Sequence, residues 1–206
     1  MKQNPTSPIQ CKTTTPRFLI AITLALACFA LSAAPNAFGV VPAPDGGYPG
    51  FNTAEGQNAL LHLTTGTANT AVGWLSLENV TTGSFNTGVG AGTLVLNSGD
   101  QNTANGVAAL LLNTTGSFNT ANGALALLNN TTGDFNTAAG RSALVSNTTG
   151  GSNTAYGAHA LINNTTGTVN TALGAQAGSS VTTASSVIAI GTGGANVSNT
   201  TWISGV

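Results

Sequence analysis

The 206-residue chain is 41% hydrophobic but only 4% charged, against roughly 25% charged in an ordinary soluble domain. Lys2, Lys12 and Arg17 precede the first apolar run. Beyond it stand one cation, Arg141, and five acids, Asp45, Glu55, Glu78, Asp100 and Asp134, so one positive and five negative groups leave about −4. No basic patch is available for phosphates or an anionic membrane surface, which argues against nucleic-acid binding. Hydrophobic and nearly uncharged, the chain is not disordered by composition either.

Residues 18–31, FLIAITLALACFAL, follow Lys12 and Arg17 and read as the apolar part of an export signal. Fourteen residues fall short of the about 20 that a membrane span needs. Ser32, Ala33 and Ala34 place cleavage after Ala34, with Ala37 or Gly39 and an uncleaved anchor as alternatives. Residues 1–34 are therefore expected to be a signal peptide, and the protein to be secreted or held at the cell surface, without membrane insertion after signal removal. Both cysteines, Cys11 and Cys28, lie in this segment. The exported part then has no disulfide, thiolate metal site or cysteine nucleophile. Ala25, Leu26 and Ala27 fit a lipoprotein site at Cys28 poorly. Residues 35–51, rich in Pro and Gly, read as a linker.

From 52 to 178 the chain repeats itself eight times. Asn-Thr opens a unit at Asn52, Asn69, Asn86, Asn102, Asn119, Asn136, Asn153 and Asn170; every step is 17 residues except the 16 from Asn86 to Asn102. The unit reads N-T-A-x-G-x-x-A-L-x-x-N-T-T-G-x-Φ, and its positions are numbered here as columns 1–17. The short unit has NSGDQ where its neighbours have NTTGSF, so the residue is lost in a turn.

Each column has a physical meaning. Column 5 is Gly56, Gly73, Gly90, Gly106, Gly123, Gly140, Gly157 and Gly174, implying a positive φ or a close backbone approach at one corner of every coil. Column 9 is Leu60, Leu77, Leu94, Leu110, Leu127, Leu144 and Leu161, a core ladder. Small residues in columns 3 and 8 keep the interior narrow. Phe85, Phe118, Phe135 and Val169 in column 17 are expected to stack as a partial aromatic ladder. Asn130-Thr131-Thr132-Gly133 and its equivalents are read as a turn in which Asn and Gly supply unusual φ values.

These columns predict a repeat solenoid of the β-solenoid or β-roll kind. Its 17-residue coils would each have a short strand over N-T-A-x and a helical turn over x-x-A-L-x-x. An all-β roll is the alternative, because the A-L stretch is too short to separate helix from strand by period. Burial per coil is small against the entropy of ordering it, so inter-coil hydrogen bonds and side-chain ladders must contribute, and lone repeats cannot fold. Column 10 (Leu61, Val95, Leu111, Leu128, Val145, Ile162) either faces inward or is covered by other copies in a homotrimer. Past Gly178 the beat ends; 179–206 is read as a terminal strand region, or the start of a further module. It holds a buried strand at 187–191, VIAIG, then a turn and a strand carrying Trp202.

The phrases NTAVG, NTALG and NNTTG, with A-L between them, resemble repeats of bacterial secreted proteins related to trimeric autotransporter-type adhesin heads and phage tail-fibre-like proteins. The closing VIAIGTGGANVSNTTWISGV resembles the segment that leads to a C-terminal intramolecular chaperone in such proteins. No stretch of the chain resembles that chaperone or the autotransporter barrel. The resemblance implies an adhesive or structural role and a homotrimer.

Chemistry-bearing residues are sparse. His62 and His159 stand in different columns, 11 and 7, of distant units, so a shared metal site is not expected. Asp100 and Asp134, two coils apart in neighbouring columns, are the one carboxylate pair near glycosidase spacing. Nucleophile-elbow, zinc-protease, P-loop and calcium-nonapeptide motifs are missing. The sequons at Asn113, Asn130, Asn147 and Asn164 are read as turn chemistry. The expected function is a structural or adhesive surface module with no catalytic residue, metal or cofactor, whose partners are its own copies and a surface glycan or other surface ligand. The alternatives are a Thr/Asn-ladder solenoid binding ice or a polysaccharide surface, and a tail-like polysaccharide depolymerase.

Overall fold

The computed structural model describes residues 48–204; the expected signal peptide and most of the expected linker lie outside the described residues. The chain winds into a β-solenoid whose three-residue strands form one parallel sheet in sequential order. They are β1 (Thr53–Glu55), β2 (Thr70–Val72), β3 (Thr87–Val89), β4 (Thr103–Asn105), β5 (Thr120–Asn122), β6 (Thr137–Ala139), β7 (Thr154–Tyr156), β8 (Thr171–Leu173), β9 (Ile188–Ile190) and β10 (Thr201–Ile203). Column pairs with column throughout: Thr53 opposite Thr70, Thr120 opposite Thr137, Thr154 opposite Thr171. Nine steps between strands at about 4.8 Å make the described stack about 43 Å long.

The interior is the expected one. Column 9 leucines from Leu77 to Leu161 are fully buried, and Leu60 nearly so. The column 3 residues Ala71, Ala104, Ala121, Ala138 and Ala155 lie beside them at zero exposure. Where column 3 becomes Gly88, column 8 carries hydroxyls. Ser76 donates to the Gly88 carbonyl at 3.0 Å and lies 2.8 Å from the Thr93 hydroxyl. A Cβ on Gly88 would fall 2.6 Å from both side-chain oxygens, so the missing methyl makes room for the pair.

The A-L stretch is not a helix, because a helix would satisfy its backbone within the stretch, whereas here alternate N–H groups pair with other coils. The β5 coil illustrates the arrangement. Two successive turns close with Ala126 N–H to Gly123 C=O at 3.2 Å and Asn130 N–H to Leu127 C=O at 3.1 Å. Leu125, third in the first turn, has φ 62°, and Leu127 has φ 52°. The alternation of hand sends their N–H groups opposite ways: Leu125 to Val107 in the coil before at 2.9 Å, Leu127 to Ala143 in the coil after at 3.0 Å. The stretch thereby bonds to both neighbours, as a strand does, while curling tightly enough to close a narrow coil.

The corner glycines meet both halves of their expectation. Gly123 has φ +138°, and a Cβ there would sit 2.7 Å from the carbonyl carbon and oxygen of Gly140. The turn expectation is corrected. Neither Asn130 nor Gly133 has a positive φ; the left-handed residues lie in columns 5, 7, 9 and 17. Column 15 is glycine for space alone, as at Gly83, where a Cβ would stand 2.8 Å from the Gly99 carbonyl oxygen. The short unit loses its residue in the turn and keeps strand register, Thr87 opposite Thr103.

The backbone beat does not end at Gly178. Ile188 pairs with Thr171 seventeen positions on, although Asn-Thr has become Val187-Ile188. The next coil is shorter, with Thr201 opposite Ile188. Of the expected buried strand Val187 and Ala189 are covered, whereas Ile188 is exposed and Ile190 partly so. Asn196 Oδ1 closes the turn column there, accepting the N–H groups of Thr182, Thr183 and Ala184 at 3.0, 3.0 and 2.8 Å. Trp202 stands opposite Ala189, putting an indole in the register position where the coils below have alanine or glycine.

Candidate binding surfaces

Two internal asparagine ladders engage most of the interior's polar groups. In column 1, each Oδ1 accepts the backbone N–H of the next asparagine, as Asn136 does from Asn153 at 3.0 Å. Its Nδ2 crosses the coil to the column 15 carbonyl, Gly150 for Asn136, at 2.9 Å. The last of these carboxamides, on Asn170, accepts from the Val187 N–H at 2.9 Å; residue 187 contributes only its backbone, which is why valine suffices there. In column 12, Asn97, Asn113, Asn130, Asn147 and Asn164 form the second ladder, Nδ2 to the Oδ1 below, as from Asn130 to Asn113 at 2.7 Å. All five are fully buried. The sequon asparagines Asn113, Asn130, Asn147 and Asn164 are thus interior amides, closed to a glycan once folded.

The turn tips are laddered as well. Thr131 Oγ1 donates to the Thr148 carbonyl at 3.0 Å, and Thr148 to Thr165 at 3.1 Å. In column 16 a side-chain oxygen accepts the N–H of the coil before. Asp100 takes that place, accepting from Ser84 at 2.7 Å, and Asp134 accepts from Ser117 at 2.7 Å. The two acids therefore share a column, with Ser117 between them, and each holds a turn. His62 and His159 are not brought together: they lie in the first and seventh coils, His62 with Nδ1 3.1 Å from the Glu78 carbonyl oxygen. Among the described residues no group of three or more His, Cys, Asp or Glu side chains is placed to hold a metal ion.

Three surface features remain. Column 17 is exposed, and Phe118 stacks on Phe135 with centroids 4.8 Å apart and planes 5° from parallel; Gln101 and Ser152 interrupt the ladder on either side. The turn wall, columns 6–11, carries an apolar strip with Trp74, Leu96 and Val107 exposed and Leu111, Leu112, Leu125 and Leu128 half-buried. Column 10 does not enter the core: Leu61 is exposed, and Val95, Leu111, Leu128, Val145 and Ile162 are partly covered. The outer face of the sheet presents columns 2 and 4. There the hydroxyls of Thr103, Thr120, Thr137, Thr154 and Thr171 and the amides of Asn105 and Asn122 are exposed and make no hydrogen bond to any described residue. At the N-terminal end the core opens into a cavity of about 250 Å³ lined by Tyr48, Ala54, Leu60 and Leu63 among others.

The leucine and glycine ladders singled out from sequence build the scaffold; Leu60 alone among them lines the end cavity. Sequence reasoning named a Thr/Asn ladder without placing the column 4 side chains beside the column 2 threonines; the strand period of two carried that signal. No helix among the described residues is long and apolar enough to cross a membrane. Comparison with known proteins gives no match: no family model, no curated protein and no solved structure matches the chain.

Proposed function

We propose that the chain is a secreted or cell-surface structural and adhesive module without catalytic activity, associated laterally in threes. The observation that carries this is the apolar strip along the turn wall. Trp74 and Val107, each 57% exposed, and Leu96 at 44% line a solenoid whose own core is already filled. An exposed apolar strip of this kind marks a protein–protein contact, and a second and third copy supply one of matching length. The number three comes from the resemblance to trimeric adhesin heads, and export from the N-terminal segment.

Multi-angle light scattering of the exported chain tests the association. The expected mass is three times that of a chain which weighs 20.2 kDa before signal removal. Leu111→Glu with Leu128→Glu is expected to yield monomers of unchanged circular dichroism. A wild-type monomer at every concentration overturns the trimer. Incubation with soluble polysaccharides is expected to release no reducing ends; release that disappears in Asp100→Asn with Asp134→Asn overturns the non-catalytic assignment.

A further inference from the structure

We propose that the outer face of the sheet binds a neutral, extended polysaccharide of β-1,4-linked hexoses, its chain lying along the solenoid axis. This deepens the adhesive role proposed above by naming its ligand class, and four observations carry it.

The first is hydrogen-bonding capacity. Columns 1, 12, 13 and 16 have their polar side chains engaged within the protein, as Asn136, Asn130, Thr131 and Asp134 show. On the strand face the hydroxyls of Thr103 and Thr120 and the amides of Asn105 and Asn122 make no such bond. They stand side by side, Thr103 opposite Thr120 and Asn105 opposite Asn122. Donors and acceptors held at a fixed spacing on a rigid sheet lose little freedom when a ligand binds.

The second is charge. From β2 to β10 no outward position in column 2 or 4 is charged; Glu55 on β1 is the sole exception on the face. An anionic or cationic polymer finds no counter-charge there, whereas a neutral hydroxylated chain needs none.

The third is periodicity. Coils advance by about 4.8 Å, close to the advance of one sugar along an extended β-1,4-linked chain. That step is slightly shorter than the sugar's, so neighbouring coils meet neighbouring sugars over about four steps, roughly 19 Å, before the two repeats drift apart.

The fourth is the apolar ground around the polar centre. Val72 and Val89 lie on one side of it, Tyr156 (63% exposed) and Leu173 on the other. Ring C–H faces of pyranoses pack on such side chains while their hydroxyls reach the threonines and asparagines, the mixed lining that ligand sites use. An ice plane fits less well, because column 4 offers valine, asparagine, tyrosine and leucine where a second rank of threonine is wanted.

The test is co-sedimentation of the full exported chain with microcrystalline cellulose and with chitin. The folded wild type is expected to sediment with at least one of them, with affinity unchanged at high salt. Thr103→Asp with Thr120→Asp is expected to weaken binding by about tenfold or more, through unpaired charges facing a neutral ligand. Thr115→Asp with Thr132→Asp, exposed at the turn tips, is expected to bind as wild type. Thr103→Val with Thr120→Val keeps the β-branched shape and removes only the hydroxyls, so it serves if the aspartates prevent folding; a loss of about threefold or more is expected. A folded wild type that sediments with neither polymer, equal binding by the two aspartate variants, or binding abolished by salt overturns the proposal. So does thermal hysteresis without polymer binding. Trimer formation is read by light scattering without polymer, so the two proposals fail separately.

Discussion

Each coil has a strand wall, such as Thr120–Asn122, and a turn wall, such as residues 124–129, and both pair their backbone with the coils on either side. The strand wall does so in ordinary extended geometry, with its outward hydroxyls left over. The turn wall does so by alternating hand, placing Leu125 at φ 62° and Leu127 at φ 52°. A non-glycine residue held left-handed costs roughly 1–2 kcal/mol. The difference teaches where each wall keeps its freedom to vary. The turn wall is constrained by backbone conformation and close approach. The strand wall is constrained on its inner side only, so its outer side is available for a ligand.

The largest expected effect breaks the corner between the walls. Gly123→Val places a β-branched residue at φ +138° against the Gly140 backbone; a loss of about 3 kcal/mol or more is expected in urea unfolding. Next comes the interior against the exterior of the strand wall. Asn136→Ala leaves the buried Asn153 N–H without its acceptor and takes one of two amide donors from the Gly150 carbonyl, which keeps Asn147, at an expected cost of about 1–3 kcal/mol. Its neighbour Thr137→Ala is expected to stay within about 0.5 kcal/mol. Equal losses for the two would dissolve the distinction between engaged and unengaged ladders.

The smallest effect sharpens the account of the turn wall. Ser142 occupies column 7 at φ 56°, the column in which Gly92 occurs naturally at φ 66°. Ser142→Gly is expected to raise stability by about 0.5–1 kcal/mol, because relief of left-handed strain exceeds the added entropy of the unfolded chain. Ser146→Gly, in the same coil but outside the left-handed columns, is expected to lower stability. A drop for both, measured by thermal unfolding, would mean that left-handed strain is not what limits this wall.

Legibility from sequence followed the strictness of each column. Leu127 and its equivalents were readable as core because a hydrophobic residue at a fixed period has little alternative. Gly123 and its equivalents were readable as a corner because only glycine satisfies both φ and space there. Gly133 was misread. Positive φ and close approach both demand glycine, and the sequence carries no mark to tell them apart. The A-L stretch was misread as helical because its composition suits a helix, while every second N–H goes to a residue 16 or more positions away, such as Ala143 for Leu127. The coil begun by Val187 was missed because the Asn-Thr signature had gone, although the backbone N–H that the ladder needs belongs to any residue except proline.

By itself, then, the sequence determined the repeat, its length, the filling of the core and the near-absence of charge, since these depend on residue type at a period. The tertiary structure alone decided which asparagines are interior, that the turn wall alternates in hand, that column 10 lies at the surface, and that Asp100 shares a column with Asp134. Those properties depend on which coil lies above and below, and a single 17-residue unit contains no neighbour to satisfy its backbone or to cover its side chains.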